Sequence, residues 1–155
     1  MTKILIATLT SVFIGTQTHA VELSISPGAS YSSYYGFEFG IEGRADFSLT
    51  PRWQLGIGGD VSKRSEESKY EVFFGPTYNF SDQINDSFFV SFGVGYSNHY
   101  PDFYDSDSGF GYVDLGKRFL LSEKHQISYK PSIGVQFNQD SSELRLSILS
   151  FSMSF

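Results

Sequence analysis

Hydrophobic and polar residues alternate one by one through most of this chain. The clearest stretch is the last, where Leu149, Phe151, Met153 and Phe155 are separated by Ser150, Ser152 and Ser154. Strict period-two alternation is the pattern of a β-strand with one apolar and one polar face. Residues 37–49 repeat it: Phe37, Phe39, Ile41, Ala45, Phe47 and Leu49 lie on one face, and Glu38, Gly40, Glu42, Arg44, Asp46 and Ser48 on the other. The pattern predicts eight strands, near 21–31, 37–49, 52–62, 69–80, 87–97, 109–121, 125–137 and 143–155. None of the eight carries a helical period of useful length.

Alternation alone does not say which face looks inward. The apolar faces are bulky and continuous, whereas the polar faces carry Gly40, Gly56, Gly58, Gly75, Gly93, Gly95, Gly116 and Gly134. A glycine on a solvent face only weakens a strand. Facing a crowded interior, it makes room for long neighbouring side chains. Eight strands enclose an interior just wide enough for side chains to fill. About ten residues at roughly 3.3 Å each, tilted near 45°, also cover about 24 Å, the height of the apolar band of a membrane barrel. The expected fold is therefore all-β: an eight-stranded antiparallel up-and-down transmembrane β-barrel, apolar outside and polar within.

The same register predicts short turns at Thr50–Pro51, Ser81–Asp86 and Ser122–Lys124, and loops at 32–36, 63–68, 98–108 and 138–142 on the opposite end. Aromatic girdles are expected at Trp53, Phe47, Phe80, Phe88, Phe119 and Tyr129 on the turn side. On the loop side they fall at Tyr31, Phe37, Tyr70, Tyr96, Phe110 and Phe137. Three features resist the register. Pro27, Pro76 and Pro131 fall inside strands and forfeit ladder hydrogen bonds, which predicts local bulges. Lys117 falls on the apolar face, so it must snorkel to the interface or sit at a bulge. Leu144, Leu146 and Ile148 have the opposite parity from Leu149, Phe151 and Met153. A bulge at Ile148–Leu149 would turn both sets outward and Arg145 and Ser147 inward.

Composition narrows the class. Met1-Thr-Lys3, an apolar run from Ile4 to Gly15 and a small-residue ending at Ala20 read as a signal peptide over 1–20, leaving 21–155 as the barrel. The net charge is −6, which excludes nucleic acid as a partner. Cysteine is absent, so thiol and disulfide chemistry is excluded, and no cofactor or metal is implied.

The candidate chemistry is sparse. Glu38, Glu42, Asp46, Asp60, Glu71 and Asp114 share the inward face with Arg44, Arg118 and Lys130. Charges in so narrow a lumen should pair into a polar network rather than line a channel. His99 opens the longest outer loop, and its neighbours Ser97 and Asp102 supply the residue types of a hydrolase site without showing the geometry. The loop itself mixes Tyr100, Phe103 and Tyr104 with Asp102, Asp105 and Asp107. An exposed aromatic and acidic loop of this kind is the expected contact surface.

The signal peptide, eight alternating strands and terminal Phe155 resemble the small eight-stranded outer-membrane proteins of Gram-negative bacteria, of the OmpA-barrel/OmpX type. The resemblance covers the whole of 21–155 and lies in pattern rather than in a specific motif. It implies that Leu149, Phe151, Met153 and Phe155 form the strand read by the barrel-assembly machinery. It also implies an outer-membrane monomer in contact with lipid and lipopolysaccharide. The expected function is structural or surface-interacting, without catalysis, through the loop at 98–108 and an unidentified extracellular ligand. The alternative is a lipid A-modifying hydrolase or acyltransferase using His99; a small pore comes third. The His-x-Ser pattern of lipid A deacylases is absent, as is the amphipathic N-terminal helix of the palmitoyltransferases.

Overall fold

The computed structural model describes residues 20–32, 36–64, 67–100, 108–139 and 141–155. The expected segment 1–20 lies outside the described residues except for Ala20. Five unbroken strands, Val21–Ser32, Gly36–Ser48, Trp53–Arg64, Glu67–Asn79 and Phe88–Tyr100, are followed by three that each come in two pieces. The sixth strand is Ser108–Lys117 and Phe119–Ser122, the seventh Ile127–Tyr129 and Ser132–Phe137, and the eighth Ser142–Ser147 and Phe151–Ser154. Each strand pairs antiparallel with the next, and both pieces of the eighth pair with the first, closing the cylinder. Val21 and Phe155 exchange backbone hydrogen bonds of 3.3 and 2.9 Å, so the two chain ends meet at the seam.

Closure decides how the faces sort. With no sheet edge left, every backbone donor and acceptor has a neighbour strand, and side chains alone choose between wall and lumen. Ile25, Phe39, Ile41, Val72, Val94 and Leu115 stand exposed on the outer wall. Glu22, Asp46, Gln54, Thr77, Asn79, Arg118 and Ser128 are fully buried inside. The barrel is thus inside-out relative to a soluble one. The glycines have the expected use: a Cβ on Gly56 would run into the Arg44 guanidinium, and one on Gly58 into the Phe73 ring.

The parity conflict in the eighth strand resolves as a bulge. Ala29 pairs with Leu146, whereas Ile25 pairs with Phe151, a shift of one residue between the two pieces. The seventh strand records the same shift, with Ile133 opposite Leu146 and Tyr129 opposite Phe151. Ile148 and Leu149 both point outward, and Arg145 turns into the lumen.

Of the three prolines, Pro27 meets the expectation of a bulge nearby, and Pro76 and Pro131 do not. Pro27 stays in register with Ile41, and its missing donor faces the eighth-strand bulge, because Val21, of the same parity, donates to that strand. Pro76 produces no register shift: Phe74–Val94 and Thr77–Ser91 belong to one register. What yields instead is spacing, since the backbones approach so closely at Gly75 and Gly93 that a Cβ on either would overlap the other strand. Pro131 breaks the seventh strand without shifting it against the sixth, and its carbonyl still accepts from Lys117 at 3.2 Å. The sixth strand does slip by a residue, but later, at Leu120–Ser122.

Lys117 takes one of the two courses expected of it, and two further expectations change. Lys117 is not at a bulge; it snorkels, reaching Asp86 at 3.8 Å in the turn after the fourth strand. Phe110 is not a girdle residue. It shares the inward parity of Tyr112 and Asp114 and is 5% exposed. The loop at 98–108 is shorter than expected, because Asn98, His99 and Tyr100 pair with Tyr70, Lys69 and Ser68, and Ser108 pairs with Ser97.

Candidate functional site in the barrel lumen

The side chains that fill the lumen divide into two polar layers. The first lies toward the end that carries the termini. There Arg118, with no exposure, donates to both Glu22 oxygens at 2.9 and 2.8 Å, to Asn79 Oδ1 at 2.6 Å and to Gln54 Oε1 at 3.0 Å. The amides of Gln54 and Asn79 continue the network, to Glu22 and Gln54 respectively, at 3.1 Å each. Lys130 bridges Glu22 at 3.2 Å and Asp46 at 3.4 Å. Asp46 in turn accepts from Arg44 Nε at 2.8 Å. The same guanidinium donates to Tyr112 and Thr77 at 3.0 Å and to the Gly75 carbonyl at 3.2 Å. Bidentate, charge-assisted contacts of this kind are the strong ones in a buried setting.

Sequence positions bring these groups together through parity alone. Glu22, Arg44, Asp46, Gln54, Thr77, Asn79, Arg118 and Lys130 come from six different strands. Each sits near the end of its strand that faces the termini. Arg118 falls at the break of the sixth strand and Lys130 beside the break of the seventh, opposite one another. The Phe89 ring lies 4.6 Å from the Arg118 guanidinium and 5.3 Å from the Lys130 ammonium, so both cations also pack against an aromatic face.

The second layer lies toward the loop end. Lys69 contacts Glu71 and Glu143 at 3.0 Å and Glu38 at 4.0 Å. Gln136 donates to Glu71 at 2.6 Å, and Ser62 and Glu38 are hydrogen-bonded. Arg145, delivered inward by the bulge, meets Glu42 at 2.7 Å and Asp114 at 3.9 Å. Asp60 lines the same cavity as Glu38, Glu42 and Glu71. Among the described residues this layer sets six carboxylates against two cations. Still, no three acidic or histidine side chains among them are placed to hold a metal ion.

Phe73, Phe110 and Tyr112 form a buried apolar cluster in the lumen. Phe73 and Tyr112 meet edge to face at 5.6 Å. Arg44 from one layer and Arg145 from the other pack on the Phe73 ring, at 5.8 and 5.7 Å.

All nine residues expected in the lumen point there, but in two separate groups. Glu38, Glu42, Asp60, Glu71 and Asp114 belong to the loop-side layer, and Arg44, Asp46, Arg118 and Lys130 to the other. Reasoning from the sequence passed over Glu22, Lys69 and Glu143 as members of the network. Their signal was present, since each has the inward parity of its strand. The surface residues fare differently. His99 and Tyr100 end the fifth strand, but their side chains lie outside the described residues, as do Asp102, Phe103, Tyr104, Asp105 and Asp107 entirely. Leu149, Phe151, Met153 and Phe155 form an exposed row on the outer wall beside the seam.

A closed eight-stranded barrel with an apolar wall and a polar, side-chain-filled interior is the architecture of a small membrane-spanning β-barrel. Solved structures of that class superpose on it. The N-terminal β-barrel domain of Pseudomonas aeruginosa OprF matches with a TM-score of 0.67 at 15% identity, over 88% of this chain and 98% of that one. Neisserial surface protein A matches at 0.65 and 13%, over 90% and 98%. Ail, the attachment invasion locus protein of Yersinia pestis, matches at 0.61 and 12%, over 90% and 100%. At such identities the likeness is one of fold. No protein-family model and no curated protein matches the sequence.

Proposed function

We propose that this chain is an outer-membrane barrel with a structural and surface-interaction role, without catalysis, acting through the segment 98–108. The observation that carries the reading is the filled lumen. Arg118, Asp46, Asn79 and Thr77 are completely buried, with Arg118 bonded to Asn79 and Arg44 bonded to both Asp46 and Thr77, so this layer fills the cross-section above a cavity of about 350 Å³ lined by Glu22, Gln54, Asn85 and Gln126. In this reading recognition falls to the loop end. In this reading 1–20 is a signal peptide removed near Ala20, a view supported by the first strand opening at Val21. The turns and termini then face the periplasm. The outward row Leu149, Phe151, Met153 and Phe155 is the strand that the assembly machinery reads. The barrel is a monomer surrounded by lipid and lipopolysaccharide.

Ail has also been solved with the heparin analogue sucrose octasulfate. The contact segment here carries Asp102, Asp105 and Asp107, so its charge favours a cationic or neutral ligand over a sulfated one. Replacing 101–107 by a glycine-serine linker is expected to abolish the ligand binding that the intact protein confers on cells, with barrel yield unchanged. Lipid A mass profiles with and without the protein are expected to coincide. Binding that survives the replacement, or a new lipid A species, would contradict this reading and favour the hydrolase or acyltransferase alternative at His99.

A further inference from the structure

The outer wall is not uniform. The sixth, seventh and eighth strands are all interrupted, after Lys117, Tyr129 and Ser147, and the interruptions lie side by side. Beside the breaks the wall sinks into a groove of about 510 Å³. Phe88, Leu115, Pro131, Ile133 and Ile148 line it, and Lys117 stands at its end nearest the turns. Its lining is almost wholly apolar apart from that lysine.

The Lys117 ammonium is held over the Phe119 ring at 4.7 Å and the Phe88 ring at 5.0 Å, and its ion partner Asp86 lies 3.8 Å away. At that separation the pair is an ion pair and not a hydrogen bond, so the donors of one and the acceptors of the other stay open to further partners. Lys117 is 31% and Asp86 55% exposed. An adjacent cation and anion at the mouth of an apolar groove complement a ligand with the reverse dipole above an alkyl chain.

We propose that this groove holds one glycerophospholipid with a phosphoethanolamine head, taken from the leaflet at the turn end of the barrel. The lipid phosphate accepts from Lys117, the lipid ammonium donates to Asp86, and one acyl chain lies along the groove from Phe88 toward the bulge at Ile148. Phosphatidylglycerol supplies the phosphate but no ammonium for Asp86; phosphatidylcholine supplies a cation that has no N–H to donate. The inference rests on the barrel sitting in a bilayer with its turns at the periplasmic face.

Native mass spectrometry of the purified protein, equilibrated with equimolar phosphatidylethanolamine, phosphatidylglycerol and phosphatidylcholine, tests it. A single phosphatidylethanolamine adduct is expected to dominate. Lys117→Gln should lower its retention about threefold, the scale of one exposed ion pair. Asp86→Asn should move the preference toward phosphatidylglycerol, and Ile148→Trp, which blocks the groove, should reduce retention of all three. Equal adducts of the three lipids, or retention unchanged by Lys117→Gln, would overturn the proposal while the heat-modifiable gel shift of a folded barrel persists. Loss of that shift in the unaltered protein would instead remove the membrane reading beneath it.

Discussion

The two polar layers of the lumen are built from the same residue types and have opposite electrostatic characters. Toward the termini, Glu22 and Asp46 face Arg44, Arg118 and Lys130, and every carboxylate is shared between two cations. Toward the loops, six carboxylates share Lys69 and Arg145. A buried ion network is tolerated where its partners are complete, and removing one member leaves an uncompensated charge. The first layer is therefore a bolt across the barrel, and the second carries surplus negative charge around a cavity of about 30 Å³. The difference supports the proposal that one end closes the barrel and the other makes its contacts.

The contrast can be broken most severely at Arg145. Arg145→Glu would add a seventh carboxylate to the loop-side layer and leave Lys69 as the cation opposing it. Glu42 and Asp114 lose their partner and face a new like charge, which should cost more than the ~3–5 kcal/mol of removing one member of a buried pair. We expect no folded barrel, read as loss of the heat-modifiable gel shift. Arg118→Ala comes next. It strands Glu22 and should cost about 3–5 kcal/mol in urea unfolding from lipid or detergent. Phe73→Leu removes the ring against which Arg44 and Arg145 pack and should cost about 1–2 kcal/mol, below the 3–5 of a full truncation to alanine. The smallest effect is expected from Asp60→Asn. Removing one surplus carboxylate should leave stability within about 1 kcal/mol of the parent, with a stabilising sign. If Asp60→Asn were as costly as Arg118→Ala, the two layers would not differ as described.

How much of this was legible beforehand follows from what alternation records. Parity alone separates wall from lumen, so the nine expected lumen charges and the split of the eighth strand could be read from the residues. Parity also marked Phe73 and Phe89 as inward, against their hydrophobicity. Phe110 was misplaced because an aromatic near a strand end was assigned to a girdle by its type, although Asp114 in the same strand fixed its parity as inward. Glu22, Lys69 and Glu143 were missed because they sit at strand ends, where segment boundaries are least certain. What alternation cannot record is height around a closed cylinder. Arg118 and Glu22 are 96 residues apart and meet only because the barrel closes and staggers. The division into two layers, and the partners of each cation, depend on that stagger. The groove at Lys117 is invisible for the same reason, because it needs the breaks of three strands to align.

The account stands or falls on whether the termini-side layer seals the barrel. Planar-bilayer recording of the purified, reconstituted protein tests this directly. We expect insertion without discrete conductance steps, because Arg118, Glu22, Gln54 and Asn79 occupy the cross-section together. Reproducible ohmic steps from the unaltered protein would show an open lumen and contradict it.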